Sequence, residues 1–473
     1  MRGAAVRGSG EGGGASGRMH NVVFALLSFE GPDRYSHAGG LGSRATEMSH
    51  ALATLGLETH LFFVGDPHLP GHEVSNGGKL HLHRWCQWIS AHHPGGVYDG
   101  EEGKLTDWNV SIPRWLESDL IGQALERGKH VVVIGEEWHT AGTLINIHEI
   151  LVRRGWQNRV HLLWNANNTF SFHRVDWGRL RKAATCMTVS RYMKHVMWRY
   201  SVDARVVPNG ISSSWLTLPD ARHIKELAAL FTGRVALVKL ARWDPDKRWD
   251  MAVEAVADMK RAGLRPLFIG RGGREPHGKE VLAGAAHQGL TVTHTHIHGG
   301  DLPALTAALR PLLGADMIML ETHLTQEQRQ GLYHTADAVL ANSGIEPFGL
   351  VGLEAMACEG IALVGSTGED YATHGHDAIS VQSAIPQEIV RRVAALHRDR
   401  AAALTLRAQA RLTAALYTWD AVLRRVLLPF LEELGVPIVP DAPPPRAPEP
   451  PMDSPNGNGR RPAPMQETPA TQR

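Results

Sequence analysis

The chain has 473 residues, 43% of them hydrophobic and 21% charged, with a formal net charge of +1. That length exceeds one ordinary core and calls for two domains of roughly 200 residues each. The balanced charge argues against the basic surface of a nucleic-acid binder. The three scattered cysteines, Cys86, Cys186 and Cys358, form neither a disulfide framework nor a zinc spacing and suit a reducing compartment.

Residues 1–18 are Gly, Arg, Ser and Ala without periodicity, and the spacing predicts a disordered tail. The apolar run 22–29 is too short for a membrane span and reads as a buried strand rather than a signal peptide. A soluble cytoplasmic protein is the expectation, with weak peripheral contact to a membrane left open. A helix over 42–55 and a strand over 58–64 follow. Further strands are predicted over 130–134, 160–164, 185–189 and 205–207. Pro208-Asn209-Gly210 is a turn signal that opens a hinge region reaching to about residue 230. The alternation then restarts. Strands are predicted over 235–240, 266–269, 290–293, 317–320, 338–341 and 361–364, and helices over 247–261, 326–334 and 350–358. A last helix covers 418–434, and a Pro-rich tail with no periodicity covers 437–473. Two runs of strand–helix alternation imply two doubly wound parallel sheets, with ligand sites at the carboxyl ends of their strands.

Four segments fall at such ends. Ser28 to Arg44 carries Gly39 and Gly40 between a strand and a helix, where backbone N–H groups can meet an anion or form only a tight turn. His130 to Thr140 delivers Glu136, Glu137 and His139 from a buried strand. Val235 to Arg248 places Arg242 and Lys247 in a loop where two cations suit a diphosphate leaving group. Ala341 to Met356 holds Glu346 in a loop and Glu354 one turn into a helix, with Phe348, Gly349 and Leu350 between them. The amides at that helix start can face a phosphate. Trp85 and Trp88 are candidates for stacking on an acceptor sugar, or are core packing. His294, His296 and His298 alternate, but in a chain with 27 histidines they read as a solvated segment rather than a metal site.

The Glu346–Glu354 segment, with Pro347-Phe348-Gly349-Leu350 inside it and Glu354-Ala355-Met356 at its end, resembles the signature of family-four and glycogen-synthase-like glycosyltransferases. Ala38-Gly39-Gly40-Leu41-Gly42, Thr188-Val189-Ser190-Arg191-Tyr192, and Val206-Val207-Pro208-Asn209-Gly210-Ile211 agree in order and spacing. The resemblance covers residues 20–435 and implies a GT-B fold, α/β, with two Rossmann-like domains facing across a cleft. The implied division is an acceptor domain over 19–215, a donor domain over 216–415, and a helix over 416–436 that crosses back to the first.

It further implies a retaining hexosyltransferase that needs no metal and no cofactor beyond its nucleotide-sugar substrate. Arg242 and Lys247 would grip the donor diphosphate, and Gly39 and Gly40 would lie beside the donor. Phe348, Gly349 and Leu350 would cover sugar and phosphate. Glu346 would lie by the sugar, Glu354 by the ribose, and His139 near the reacting centre. On the residues alone, apart from the resemblance, Glu136, Glu137, Trp85 and Trp88 are the candidates for the acceptor side. The acceptor could be a carbohydrate, a lipid or a small molecule, and nucleic acid is not an expected partner. Three places depart from the family pattern. Ser36-His37-Ala38 stands where glycogen synthases carry lysine, the 270–274 segment has extra arginines, and Glu369 replaces a common glycine. A sugar-nucleotide epimerase on the same fold, with Glu136 and Glu137 as its acid–base pair, and a non-catalytic nucleotide-sugar-binding protein are the other readings.

Overall fold

A computed structural model describes residues 21–438. The tail predicted over 1–18 and the part of the second tail beyond residue 438 lie outside the described residues. Two α/β units meet across a cleft. The first is an eight-stranded sheet of β1 (Val22–Leu27), β2 (Glu58–Val64), β3 (His72–Ser75), β4 (Leu80–Trp85), β5 (His130–Glu136), β6 (Val160–Ala166), β7 (Thr185–Thr188) and β8 (Arg205–Val206). Their spatial order is β3-β4-β2-β1-β5-β6-β7-β8. The second is a seven-stranded sheet of β9 (Val235–Leu240), β10 (Pro266–Arg271), β11 (Val292–Thr295), β12 (Met317–Leu320), β13 (Ala338–Ala341), β14 (Ala362–Val364) and β15 (Ile379–Ser380). Its order is β11-β12-β10-β9-β13-β14-β15. All pairings are parallel except β3 with β4. The central strands are buried on both faces, as parallel strands covered by helices must be, so they read as continuous apolar runs.

Several elements differ from the predicted ones. The first helix starts two residues early, at Gly40–Thr54. The helix predicted from 247 starts at Trp249, because Pro245–Lys247 forms a separate 3-10 turn and Arg248 adopts a left-handed φ of +51°. The strand predicted over 290–293 is shifted to Val292–Thr295, since Leu290 closes the preceding helix through its N–H to Ala285 O and Thr291 bonds Asp316. The antiparallel β3–β4 edge and the Glu101–Trp115 helix have no counterpart among the predicted elements. His294 and His296 both pair with Glu321, each through Nδ1 at 3.1 Å. Among the described residues no helix is long and apolar enough to cross a membrane, and no three His, Cys, Asp or Glu side chains cluster as metal ligands.

The chain crosses between the units twice, and the two crossings lie side by side. Ile211 N–H donates to Tyr417 O at 2.9 Å, and Trp419 N–H donates to Ile211 O at 2.9 Å. Gly210 is required here: a Cβ on it would lie 2.6 Å from the Trp419 ring. Beyond this bridge the last helical run, Trp419–Val422, Leu423–Leu427 and Leu428–Glu433, returns to the first unit. Val422, Leu423, Leu427 and Leu431 are buried in one cluster with Phe24, Met48, Leu52 and Leu61. Removing the fully buried Leu423 side chain leaves a cavity in that seam. Leu423→Ala is therefore expected to lower unfolding free energy by about 2–5 kcal/mol, read as a lower midpoint in urea.

Candidate functional site

The carboxyl ends of β1, β5 and β6 face those of β9 and β13 across a cleft of about 960 Å³. This is where open parallel sheets place ligands. On the first wall, Glu30 follows β1 and fills the start of the Gly40–Thr54 helix. Its Oε2 accepts N–H bonds from Ala38 (3.2 Å), Gly39 (2.8 Å) and Gly42 (3.0 Å), and its Oε1 accepts the Tyr98 hydroxyl at 2.6 Å. A carboxylate suits helix-start amides, so three of the glycine-loop amides expected to meet a ligand anion are held by the protein's own side chain. Gly39 and Gly40 still line the cleft. The loop bearing Tyr98 is fixed by the buried Lys104 ammonium, which donates to Tyr35 Oη at 2.7 Å and to the Gly96 (3.0 Å) and Val97 (3.1 Å) carbonyls.

β5 ends at Glu136, and here the two adjacent glutamates separate. Glu136 does not reach the cleft. It is fully buried, paired with Arg44 at 3.0 Å and accepting Asn165 and Asn167 amides at 2.8 Å. The expected acceptor-side role for Glu136 is corrected: with its oxygens spent on Arg44 and two amides, it ties the first helix to the sheet. Glu137 does line the cleft. Its φ of +66° is unusual for a residue with a side chain. Oε1 accepts Asn167 N–H at 2.7 Å, while Oε2 is buried without a partner. Burial, reinforced by Glu136, pushes its carboxyl up to about 8. His139 lies between Trp138 and Phe29, and its Nε2 is 2.8 Å from Glu101. Burial lowers its pKa against the pull of Glu101, and its Nδ1 has no partner. Trp85 and Trp88 are elsewhere. Trp85 packs edge-on against Phe62 and Trp115, and Trp88 is exposed away from the cleft lining. The acceptor-side expectation for both is corrected: Trp85 ends β4, two strands from β1, with its indole donating to Ser111 Oγ at 2.7 Å, and Trp88 lies on the short Gln87–Ser90 helix.

On the second wall, Arg242 and Lys247 both line the cleft. Arg242 is largely exposed, 3.7 Å from Asp244. Lys247 Nζ is hydrogen-bonded to Glu346 Oε2. Glu346 is pinned at its backbone by Thr367, whose Oγ1 accepts its N–H at 2.9 Å and donates to its carbonyl at 3.0 Å. Phe348, Gly349 and Leu350 follow along the lining. Gly349 takes a φ of +79°, and a Cβ there would press on Glu346 and Glu369. Glu369 lies beneath this loop, its carboxyl pushed up to about 7 by burial. Glu354 does not line the main cleft. It lines an adjoining cavity of about 100 Å³ with Arg44, Glu47, Asn209 and Arg329. Arg329 lies 3.3 Å from it, and burial raises Glu354 to about 7.

Sequence reasoning did not single out Lys239, Glu30, Glu101, Asn167 and Asn168, all on the cleft lining. Lys239, next to last in β9, is buried and donates to Leu340 O (3.1 Å) and Asn342 Oδ1 (2.7 Å), and burial, with Lys247 nearby, brings it down to about 7. A charged residue in an apolar strand was the available signal for Lys239. For Asn167 and Asn168 it was an amide-rich stretch directly after a buried strand.

The family model described as glycosyl transferases group 1 matches residues 222–413. The D-inositol 3-phosphate glycosyltransferase of Thermobispora bispora is 32% identical over 422 residues, 84% of this chain and 90% of that protein. The chain belongs to the group 1 glycosyl transferases. Solved structures agree on its GT-B architecture. Sucrose-phosphate synthase from Thermosynechococcus elongatus superposes with a TM-score of 0.59 at 17% identity, over 87% of this chain and 99% of that one. Anabaena HepE in complex with UDP gives 0.58 at 12%, over 87% and 100%. In this glycosyltransferase the matched region contains every second-wall residue named above.

The buried Glu137 sets a pH dependence. The folded carboxyl keeps its proton up to about pH 8, whereas the unfolded one loses it near ~4.3. Its contribution to stability is therefore present at low pH and is lost as pH rises through the folded value. Glu137→Gln removes that loss. The variant's unfolding free energy, relative to wild type, should climb by up to about 1.4 kcal/mol per pH unit between about pH 5 and 8, measured by urea unfolding across that range.

Proposed function

We propose that the chain transfers a hexosyl unit from a nucleoside-diphosphate sugar to an acceptor hydroxyl with retention of configuration, in the manner of family-four enzymes. The observation that carries this is the opposition of the two walls. Lys247, Arg242 and the Gly349–Leu350 helix start lie on one side of a single cleft, and His139 and Glu137 on the other. The acceptor oxygen bonds to the sugar's anomeric carbon as the carbon–oxygen bond to the diphosphate breaks. The hydroxyl proton leaves with the diphosphate. Cations and helix-start amides that meet the charge developing on the leaving group lower the barrier. In the resting protein Lys247 is held by Glu346, and a diphosphate would compete for that ammonium. Glu346 would then be free to receive sugar hydroxyls.

Retention through same-face attack is supported by the state of the first-wall carboxylates. Glu30 is saturated by three amides and Tyr98, Glu101 is bonded to His139, and Glu137 keeps its proton near neutral pH. None is a free nucleophile. The burial of Glu136 against Arg44 takes away the acid–base pair that an epimerase would need. Anabaena HepE was solved with UDP and with UDP-glucose, which favours a uridine donor as the first to test. Glu354, beside Arg329 in the adjoining cavity, is the residue proposed to hold the ribose.

Two outcomes are expected. A true donor at about 100 times its Kd should stabilise the protein by ~2.7 kcal/mol, seen as a higher melting temperature in a panel of nucleotide sugars. Lys247→Ala should lower transfer more than tenfold, about 1.4 kcal/mol of barrier. A smaller loss in a transfer assay would remove the diphosphate role.

A further inference from the structure

Among the described residues, the first wall of the cleft carries carboxylates and amides but no lysine or arginine. Its charged and amide side chains are Glu30, Glu101, Glu137, Asn167, Asn168 and Asn209, joined by His139. The cations of neighbouring segments are committed elsewhere. Arg44 is buried against Glu136 and Asn209. Arg174 pairs with Glu102 and lies 4.1 Å over the Trp138 ring. Arg34 and His37 line a separate recess that adjoins the cleft at Ala38 and Tyr98. The backbone offers little more to an anion, because Glu30 holds the amides of Ala38, Gly39 and Gly42.

Four buried side-chain atoms on this wall lack a partner: Trp138 Nε1, Asn167 Oδ1, Glu137 Oε2 and His139 Nδ1. Glu137 and His139 are each only 3% exposed. Buried polar groups left open at a cleft are suited to a ligand's hydrogen bonds. Hydroxyl groups can satisfy them, since a hydroxyl donates and accepts. An ammonium group would find Glu101 at the edge of the same wall. A phosphate dianion seated on this wall would meet the Glu30 and Glu101 carboxylates with no cation of the wall beside them, and like charges brought together in a partly dry site repel.

We propose that this wall takes as acceptor a phosphate-free polyol bearing a protonated amine, of the amino-sugar or aminocyclitol class. The inference rests on the glycosyl-transfer reading above and narrows its acceptor. It also separates this chain from its Thermobispora relative, whose name specifies a phosphorylated inositol.

The test is calorimetric titration of the full chain, saturated with UDP, using glucosamine, glucose and glucose 6-phosphate. Glucosamine should bind tightest and glucose 6-phosphate at least tenfold more weakly than glucosamine. Glu101→Gln should weaken glucosamine several-fold while leaving glucose within twofold. Glucose 6-phosphate binding as well as glucosamine, whether on the wall or through Arg34 and His37, would overturn the proposal. So would equal losses of glucosamine and glucose in the variant, or three sugars that all fail to bind. If UDP does not bind but the preference for glucosamine persists, the donor reading falls and the acceptor inference stands.

Discussion

The cleft exists because two chain crossings are locked together at one place. Ile211 and Thr418 pair as a short bridge, Trp419 covers Gly210, and the Trp419 indole donates to Glu47 on the first helix at 3.1 Å. Arg44, one turn from Glu47, reaches both Asn209 in the crossing and Glu136 at the end of β5. Each contact alone is ordinary. Together they hold the carboxyl ends of one sheet opposite those of the other, and every candidate site residue inherits its position from that arrangement. Breaking one partner of the buried Arg44–Glu136 pair would leave a charge stranded, which costs far more than the pair contributes.

The two walls then divide the chemistry by charge. Cations and helix-start amides gather on the second wall, where Lys247 waits in a bond to Glu346. The first wall is acidic and rich in amides, with its own carboxylate already seated at the first helix start. Burial shifts the titration of groups on both sides: Glu137 to about 8 and Lys239 to about 7. Groups in such states shape a site by hydrogen bonding as much as by net charge.

The buried parallel strands were legible because covered strands must be apolar throughout, and β1, β5, β9 and β13 are. The motif loops were legible because they follow those strands directly. What escaped depended on contacts distant in sequence. Glu30 sits in a quoted loop, but only the folded turn shows it seated on the helix behind it. Glu136 and Glu137 are neighbours in sequence with opposite fates, decided by Arg44, 92 positions away from Glu136. The β3–β4 edge was hidden because His72, His81 and His83 replace the expected apolar residues and stack on one another instead. With that edge unseen, Trp85 and Trp88 could not be placed.

Glu137 illustrates what such a site costs its host. Its backbone sits at φ +66° and ψ 173°, a region that glycine occupies freely and other residues only at roughly 1–3 kcal/mol of strain. A glycine at this position would relax the turn and spare the fold a buried carboxyl. Stability alone would favour that glycine over the glutamate. Thermostabilising libraries built on this chain would therefore enrich substitutions at 137 and return sturdier proteins whose first wall has lost its buried carboxyl.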